Sequence, residues 1–430
     1  MDAGTQWRRN LFAITGASFI GFTGFTLVMP FLPLYFNQLG VTDVGEIAFW
    51  SGISLGVTPA MTALLSPLWG RLSDRFGHKI MVERSLICFV ITMVMMAFLT
   101  KPWHVFAVRA LQGLFAGYGA LSLAMAAESA PPGKMASAIG MVQTAQRLGP
   151  ALGPVIGGVL AQAVGLRQAF FFASAFYLIG LVLVFFVYEE KPRVPEIETE
   201  TESETATSTG TPAAGRVSFT DVLSFEHFVL MMGVIFGIQV VDRSLGPILP
   251  LYIGRLGVSP ERVPIVSGIL FSVLAAMAAV GHHLCGKLLK RYPPRTIIAT
   301  TGAVAGVASL AFVIEPPIAV LMVAIGIFGI AIGIAMTAAY ATAGTVVPQS
   351  ARATGFGFLT TASLSGLAVS PIAAGFIGAR SLRLVFVIDA VVLAIVAGLV
   401  LRMMSRTLRV DAPHPENGEG KGEALVPSEE

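Results

Sequence analysis

Ionisable side chains inside long apolar stretches are the residues of this chain best suited to chemistry, because a charge there is costly unless a partner or a function compensates. Asp242 and Arg243 stand mid-stretch in Gln239-Val240-Val241-Asp242-Arg243. A carboxyl group in an apolar setting resists ionisation and can carry a proton, so Asp242 is the first nominee for proton coupling. Neighbouring helical positions diverge by about 100°, so Asp242 need not pair with Arg243; a fixed ion pair with Arg109 or Arg147 is the structural alternative. Arg109 lies about five residues inside another stretch, in Arg109-Ala110-Leu111-Gln112-Gly113, where it must face water, a carboxylate or backbone carbonyls, or snorkel outward. Arg147, with Gln143 one turn earlier, has two readings: neutralising an anionic substrate or satisfying helix-end carbonyls. Asp389 reads as structural with Arg383 as its partner, Glu128 as a solvated helix-end charge, and His282 and His283 as packed or interfacial. No nucleophile–base pair, metal-ligand cluster or Gly-x4-Gly-Lys-[Ser/Thr] phosphate loop occurs, so neither enzyme chemistry nor ATP drive is expected, and no cofactor or metal.

The elements that position these residues follow from composition. Hydrophobic residues make up 55% of the 430 positions and charged residues 12%, with a mean hydropathy of +0.77. Such a chain cannot cover a water-exposed surface, so lipid is its main solvent. The net charge of +3 gives no sign of nucleic-acid binding. Apolar segments long enough to span recur at 12–36, 46–69, 80–100, 104–127, 136–160 and 168–188, then at 226–253, 264–285, 297–315, 317–343, 354–378 and 384–404. The expected fold is an all-α polytopic membrane protein of twelve transmembrane helices. The first segment, preceded by Arg8 and Arg9, is too long for a cleaved signal peptide. One set of loops carries Arg71, Arg75, Lys79, Arg84, Lys134, Lys287, Lys290, Arg291 and Arg295, while the alternate set has Lys101, Arg167, Arg255, Arg262, Arg380 and Arg383. The positive-inside rule places both termini in the cytoplasm. Residues 189–225 divide the two sets of spans. Their Glu-, Thr- and Ser-rich middle reads as a disordered linker, followed by a short amphipathic segment at Arg216–Phe225; residues 405–430 read as a disordered tail. Cys88 and Cys285 are expected to be buried, reduced thiols.

The two sets of spans, 1–188 and 226–404, repeat one another. Pro30, Pro33, Tyr35 and Gly40 return as Pro247, Pro250, Tyr252 and Gly257, at an offset of about 217 positions. Ser51-Gly52-Ile53 matches Ser267-Gly268-Ile269. Gly70 matches Gly286, and Gly140, Gly149, Pro154 and Gly158 match Gly357, Gly366, Pro371 and Gly375. A near-constant offset across several spans predicts two six-helix bundles related by a pseudo-twofold axis along the membrane normal, with a substrate site between them.

After the second span the chain reads Gly70-Arg71-Leu72-Ser73-Asp74-Arg75-Phe76-Gly77-His78-Lys79. This resembles the loop signature of the major facilitator superfamily, G-x-L-x-D-R-x-G-x-[RK]. In the family the motif is a conformational latch. The resemblance assigns it here to Gly70, Asp74, Arg75, Gly77 and Lys79, with Asp74 facing the eleventh span near Arg352–Thr354. Gly70 is read as permitting close helix packing and Gly77 as making a tight turn; in the second half Lys290 replaces the Asp. Arg109 to Gly113 is similar to the R-x-x-Q-G motif of proton-coupled members, which implies a coupling role for Arg109 beside that read for Asp242. Gly149-Pro150-Ala151-Leu152-Gly153-Pro154-Val155-Ile156-Gly157-Gly158 resembles G-P-x-x-G-P-x-x-G-G, the hinge motif of the drug:proton antiporter branch, and implies export. Gly149, Gly153 and Gly157 fall on one helix face, and Pro150 and Pro154 favour a kink. Cavity candidates are Thr23, Thr26, Gln112, Tyr118, Arg147, Gln239, Arg243 and Tyr340. The first half thus carries latch, Arg109 and hinge, none with an expected counterpart in the second, which contributes Asp242 and Arg243. The resemblance implies a monomeric secondary transporter in a bacterial inner membrane, whose partners are a small-molecule substrate, protons and the lipid bilayer. Export of a single metabolite, uptake by symport, or a non-transporting receptor on the same fold are the alternatives.

Overall fold

Lipid offers the backbone no hydrogen-bond partner, so each apolar segment must satisfy its N–H and C=O groups internally, as a helix does. The computed structural model describes residues 3–131, 134–190, 227–347 and 352–404; for 3–5, Pro67, Asp74, Ala136 and 352–354 it describes the backbone alone. The linker, its amphipathic segment and the tail lie outside the described residues, apart from Glu189 and Glu190. The first half comprises α1 (Ala3–Leu27), α2 (Leu32–Gln38), α3 (Val44–Phe76), α4 (His78–Phe98), α5 (Pro102–Leu114), α6 (Tyr118–Ser129), α7 (Met135–Val164) and α8 (Leu166–Val182), the last extended by a π-helical turn at Leu183–Val187. The second half comprises α9 (Phe228–Arg255), α10 (Val263–Leu289), α11 (Pro294–Leu310), α12 (Ile318–Val346), α13 (Arg352–Gly378) and α14 (Leu382–Met403). With α1 and α2 forming one span and α5 and α6 another, the described residues make the twelve spans expected. Ten helical runs are long and apolar enough to cross a membrane. The other two are α7, diluted by glycine, proline and polar residues, and α11, whose 17 residues rise only about 25 Å.

The loop expected at 70–79 is mostly helix. α3 continues through Phe76, and the turn into α4 is made by Gly77 alone, at φ +95°. The fourth span, expected to be continuous, is instead interrupted at Phe115–Gly117, where Gly117 takes φ +121°. An interruption at membrane depth exposes carbonyls, and the first bundle supplies donors for them. Trp69 Nε1 donates to Leu114 O at 2.6 Å, and Ser85 Oγ to Phe115 O at 2.7 Å. Arg84 donates to Phe115 O at 3.1 Å and Ala116 O at 3.4 Å, with its guanidinium 3.4 Å above the Trp69 ring. Arg84 is therefore not a loop charge: it sits inside α4 and holds the broken span together.

The repeat survives in three dimensions. Tyr35 donates its hydroxyl to Met96 O at the end of α4, and Tyr252 donates to Phe312 O just beyond α11, at 2.7 Å. Both tyrosines lie edge-on to a buried phenylalanine of the next span round, Phe170 and Phe386. Each half has its own apolar core, and the core of the second also takes in Ala48 from α3. In the second bundle Arg383 grips Glu315 through two nitrogens, each at 2.8 Å, and so is not the partner of Asp389. The two cysteines are free, Cys285 buried and Cys88 half-buried.

The exit from the first bundle is fastened to its entrance. Glu189 is paired with Arg9 and accepts from Gln6 at 3.0 Å, while Asn10 Nδ2 donates to Glu189 O at 2.7 Å. Lys79 Nζ donates to Tyr188 O at 2.7 Å and Phe185 O at 3.0 Å, closing the C-terminal end of the sixth span.

Two outcomes are expected. Replacing Arg84 by leucine leaves the α5–α6 carbonyls without their charged donor and should cost about 2–3 kcal/mol, read as a lowered Tm of the purified protein; an unchanged Tm would remove the capping role. The hydrogen bond from Arg9, the largest cause, holds the Glu189 carboxyl below the usual carboxylate range. A depressed acid contributes its stabilisation above its unfolded pKa and loses it as pH falls through the lower folded value. Cross-linking of the N-terminal helix to the segment after the sixth span should therefore persist at neutral pH and weaken only on strong acidification.

Candidate functional site

The two bundles meet along two seams that mirror one another. In the first, α3 lies against α13: a β-carbon at Gly52 would strike the Pro371 carbonyl oxygen and come within 2.7 Å of Gly375 Cα, and one at Gly375 would lie 2.7 Å from Ala48 O. In the second, α7 lies against α10: a β-carbon at Gly268 would strike the Pro154 carbonyl oxygen, and one at Gly158 would lie 2.5 Å from Pro264 O. Val155 N also donates across this seam to Ser272 Oγ at 3.2 Å. Gly52, Pro371 and Gly375 are the repeat images of Gly268, Pro154 and Gly158. The second half is therefore not without a hinge counterpart, as its sequence suggested; it keeps the proline carbonyl and the last glycine in the same role.

Both seams lie toward the end of the molecule remote from the termini. At the end that bears the termini one glycine of each of the same four helices has open space around it. Among the described residues nothing lies within 4 Å of a β-carbon built at Gly70, Gly140, Gly286 or Gly357. Among the described residues Gly70 thus has no close helix neighbour; the expected partners of its motif lie outside them. Above the seams a cavity of about 850 Å³ opens at the remote end, walled by residues such as Asn37, Gln162, Arg255 and Glu261; none of the nominated cavity residues lines it.

The hinge glycines find their partner in α1. Gly149 would meet Thr23 N at 2.8 Å, Gly153 the Thr26 hydroxyl, and Gly157 the Leu27 carbonyl, so all three let the α1 and α7 backbones touch. Pro150 and Pro154 both lie within α7. Thr26 is consumed by this packing, with its hydroxyl donated to Phe22 O at 3.1 Å. Tyr118 is also buried and donates to Ala17 O of α1.

The two residues nominated for proton coupling are in different places. Arg109 is buried inside the first bundle. It donates to Gln112 Oε1 at 2.8 Å and lies 5.8 Å from the Phe25 ring, while its own carbonyl accepts from Thr58 at 2.9 Å. Among the described residues no carboxylate reaches ion-pair distance of it. Its Nε and the Gln112 Nε2 are buried without a hydrogen-bond partner. Asp242 is instead in contact with Arg243, Oδ2 to Nε at 3.1 Å; the charges touch although the N–H is not aimed along the contact. Asp242 and the exposed Arg147 both lie within electrostatic reach of His282, which shares a 2.6 Å hydrogen bond with Thr337 of α12. The Asp242–Arg243 pair, Arg147 and His282 thus lie in one region between α7, α9 and α10. Gln239 is buried where Gly366 crosses α9, and Tyr340 is half-buried at the edge of the second core. His282 is the residue that sequence reasoning set aside. Its signal was present in the thin supply of titratable side chains at that depth.

Of the latch residues, Gly77 and Lys79 make the turn and the helix closure already described, and Arg75 lies over the Phe76 ring. The side chain of Asp74 and its expected partners at 352–354 lie outside the described residues. Glu128 is not merely solvated: its carboxylate is 3.2 Å from His78 Nδ1.

Residues 14–328 and 312–429 match the sequence pattern of the Major Facilitator Superfamily. The chain belongs to that superfamily. It is accordingly a multi-pass membrane transporter. Among superfamily members it is similar to the multidrug resistance protein MdtG of Escherichia coli O6:K15:H31 (strain 536 / UPEC), with 36% identity over 300 residues, 70% of each chain. MdtG of Proteus mirabilis (strain HI4320) is 32% identical over 299 residues, 69% of this chain and 71% of its own. Its superfamily fold is that of a bacterial homolog to the human lysosomal transporter Spinster, solved inward-facing and occupied, with a TM-score of 0.73 at 19% identity, covering 91% of this chain and 95% of that one. The unoccupied inward-facing structure gives 0.74 at 18% identity, covering 92% and 96%.

The glycine contrast has a direct test. Gly157→Val should destabilise by about 1–3 kcal/mol or more through overpacking against α1. Gly70→Ala, inside a helix with open space around it, should leave stability unchanged or raise it by up to about 1 kcal/mol. Thermal unfolding of both variants checks the pair, and equal losses would remove the distinction.

Proposed function

We propose that this chain is a proton-driven exporter of small amphipathic molecules that works by alternating access. The observation that carries the reading is the pair of mirrored seams, which join the bundles at the end remote from the termini. The relatives named multidrug resistance protein support export of drug-like molecules, and the Gly-Pro hinge motif in α7 supports exchange rather than uptake. With the basic loops on the same side as the termini, that side is cytoplasmic, and the conformation described is inward-facing. The transport unit is a single chain, since both seams are internal to it.

In this scheme Asp242 takes a proton when the cleft opens outward. In the inward-facing state it returns the proton and falls back on Arg243, the contact seen here. A cationic or polar-headed substrate then competes for the same carboxylate, with Arg147 and His282 setting the local field. The two seams part as the bundles rock, and the proline-softened α7 accommodates the change. Export of a single metabolite or proton symport would use the same frame, and flux direction separates them.

The expected outcome is that vesicles containing the purified protein move ethidium against an imposed pH gradient, with transport reversing when the gradient is reversed. Asp242→Asn should abolish this gradient-driven movement while leaving expression and folding intact. Undiminished gradient-driven transport in that variant would exclude Asp242 as the coupling acid.

A further inference from the structure

Asp389 lies in α14, away from the charged cleft, and is 4% exposed. Its carboxylate contacts the Ser244 hydroxyl of α9, Oδ2 to Oγ at 2.6 Å. The Ser244 hydroxyl is also 2.9 Å from the Val241 carbonyl. A serine has one proton, and a carbonyl can only accept. If Ser244 donates to Val241 O, the second contact needs a proton on Asp389. The chain of donors then runs from Asp389 to Ser244 to Val241, with every contact satisfied.

The surroundings favour the same assignment. On α14 itself the nearest cation in sequence, Arg383, is committed to Glu315. On α9 the charged neighbours Asp242 and Arg243 contact each other. α11 presents Ser309, which donates to Phe386 O at 3.0 Å, and Gly306 beside Ala390; α13 presents no titratable group within its described part. Among the described residues, then, no cation balances a charge on Asp389, and a buried carboxyl without one is held neutral.

Asp389 is also placed to respond to motion. Pro247 lies inside α9 three residues beyond Ser244 and removes the N–H that would bond the Arg243 carbonyl; Pro250 does the same for Gly246. The helix is thus softened within one turn of the acid's partner. Bending there moves Ser244 relative to α14, and it moves the Asp242–Arg243 pair on the same turn.

We propose that Asp389 is a second proton-carrying residue of this transporter, neutral while it shares Ser244 and discharged when substrate binding bends α9 beside it. The proposal rests on the antiport reading and adds to it a proton site outside the cleft. The proton leaves the Asp389 carboxyl for water admitted by the bend, and the carboxylate is reprotonated in the outward-facing state.

The test uses the full-length protein in lipid with ethidium as probe. Infrared spectra should show the carbonyl stretch of a protonated carboxyl, lost in Asp389→Asn. Ethidium should release protons from the unsubstituted protein and fewer from the variant. The variant should keep ethidium counterflow, which shows that it is folded and binds, yet lose pH-driven accumulation. Full proton release and intact pH-driven accumulation in Asp389→Asn would overturn the proposal and leave antiport standing. Absence of pH-driven transport in the unsubstituted protein would overturn antiport and this proposal together. Should Asp389→Asn not assemble, Ser244→Ala is expected to shift both the carboxyl band and the pH dependence of transport; if neither moves, the proposal fails.

Discussion

Between helices that already lie in lipid, apolar contact gains little, so two bundles must be held together by close packing of their backbones. The contact of Gly52 with the Pro371 carbonyl, and its image between Gly268 and the Pro154 carbonyl, is the constraint from which the rest of the arrangement follows. Any side chain at these positions would push the bundles apart. Their nearness draws Ala48 into the core of the opposite half and closes one end of the cleft. Each seam centres on backbone contacts at glycine, flanked by side chains such as Phe49 against Phe376 and Ser272 accepting from Val155 N. Apart from Ala48, the buried residues of each core belong to its own bundle, as rocking of one bundle against the other requires.

On this symmetric frame the chemistry is not symmetric. The first half commits its buried cation, Arg109, to Gln112 and to the surroundings of the interrupted fourth span. The second half carries Asp242 in the cleft and Asp389 in the packed interior. The interruption at Gly117 has no equivalent in α12, which runs unbroken from Ile318 to Val346. Arg84, Ser85 and Trp69 make that interruption tolerable. The local irregularity of the first bundle is thus tied to a specific set of donors, while the regular second bundle is free to hold neutral or paired acids.

Much of this was legible in the sequence, because periodicity and spacing are properties of the backbone. The four-residue spacing of Gly149, Gly153 and Gly157 announced a backbone contact, although a spacing names a face and not the neighbour, and α1 emerged only in three dimensions. The repeat located Gly52 and Gly268 as equivalents without saying that they pack on proline carbonyls. Side chains with several rotatable bonds were harder. Arg243 folds back on the residue before it, a pairing that the helical angle between the two positions did not require. Arg84 looked like a loop charge because a count of basic residues cannot distinguish a cation facing water from one capping carbonyls. Asp389 was given Arg383 by proximity along the helix, whereas Glu315 offered that arginine two oxygens at once. Gly70 was read as a packing residue from its motif, whose expected partners lie outside the described residues.

The shortness of α11 has a further consequence. A helix of 17 residues rises about 25 Å, several ångströms less than the hydrocarbon thickness of an ordinary bilayer. Its outward face carries Val304 and Val307, both well exposed, and so meets the acyl chains directly. The apolar turn at 311–314 makes up part of the difference, and thinned lipid or polar headgroups drawn toward the helix ends would supply the rest. The energy of that mismatch changes with acyl-chain length. Membrane composition thus becomes a mechanical load applied to the side of the protein where α11 and α14 pack together, and the bilayer itself enters the balance between the two states.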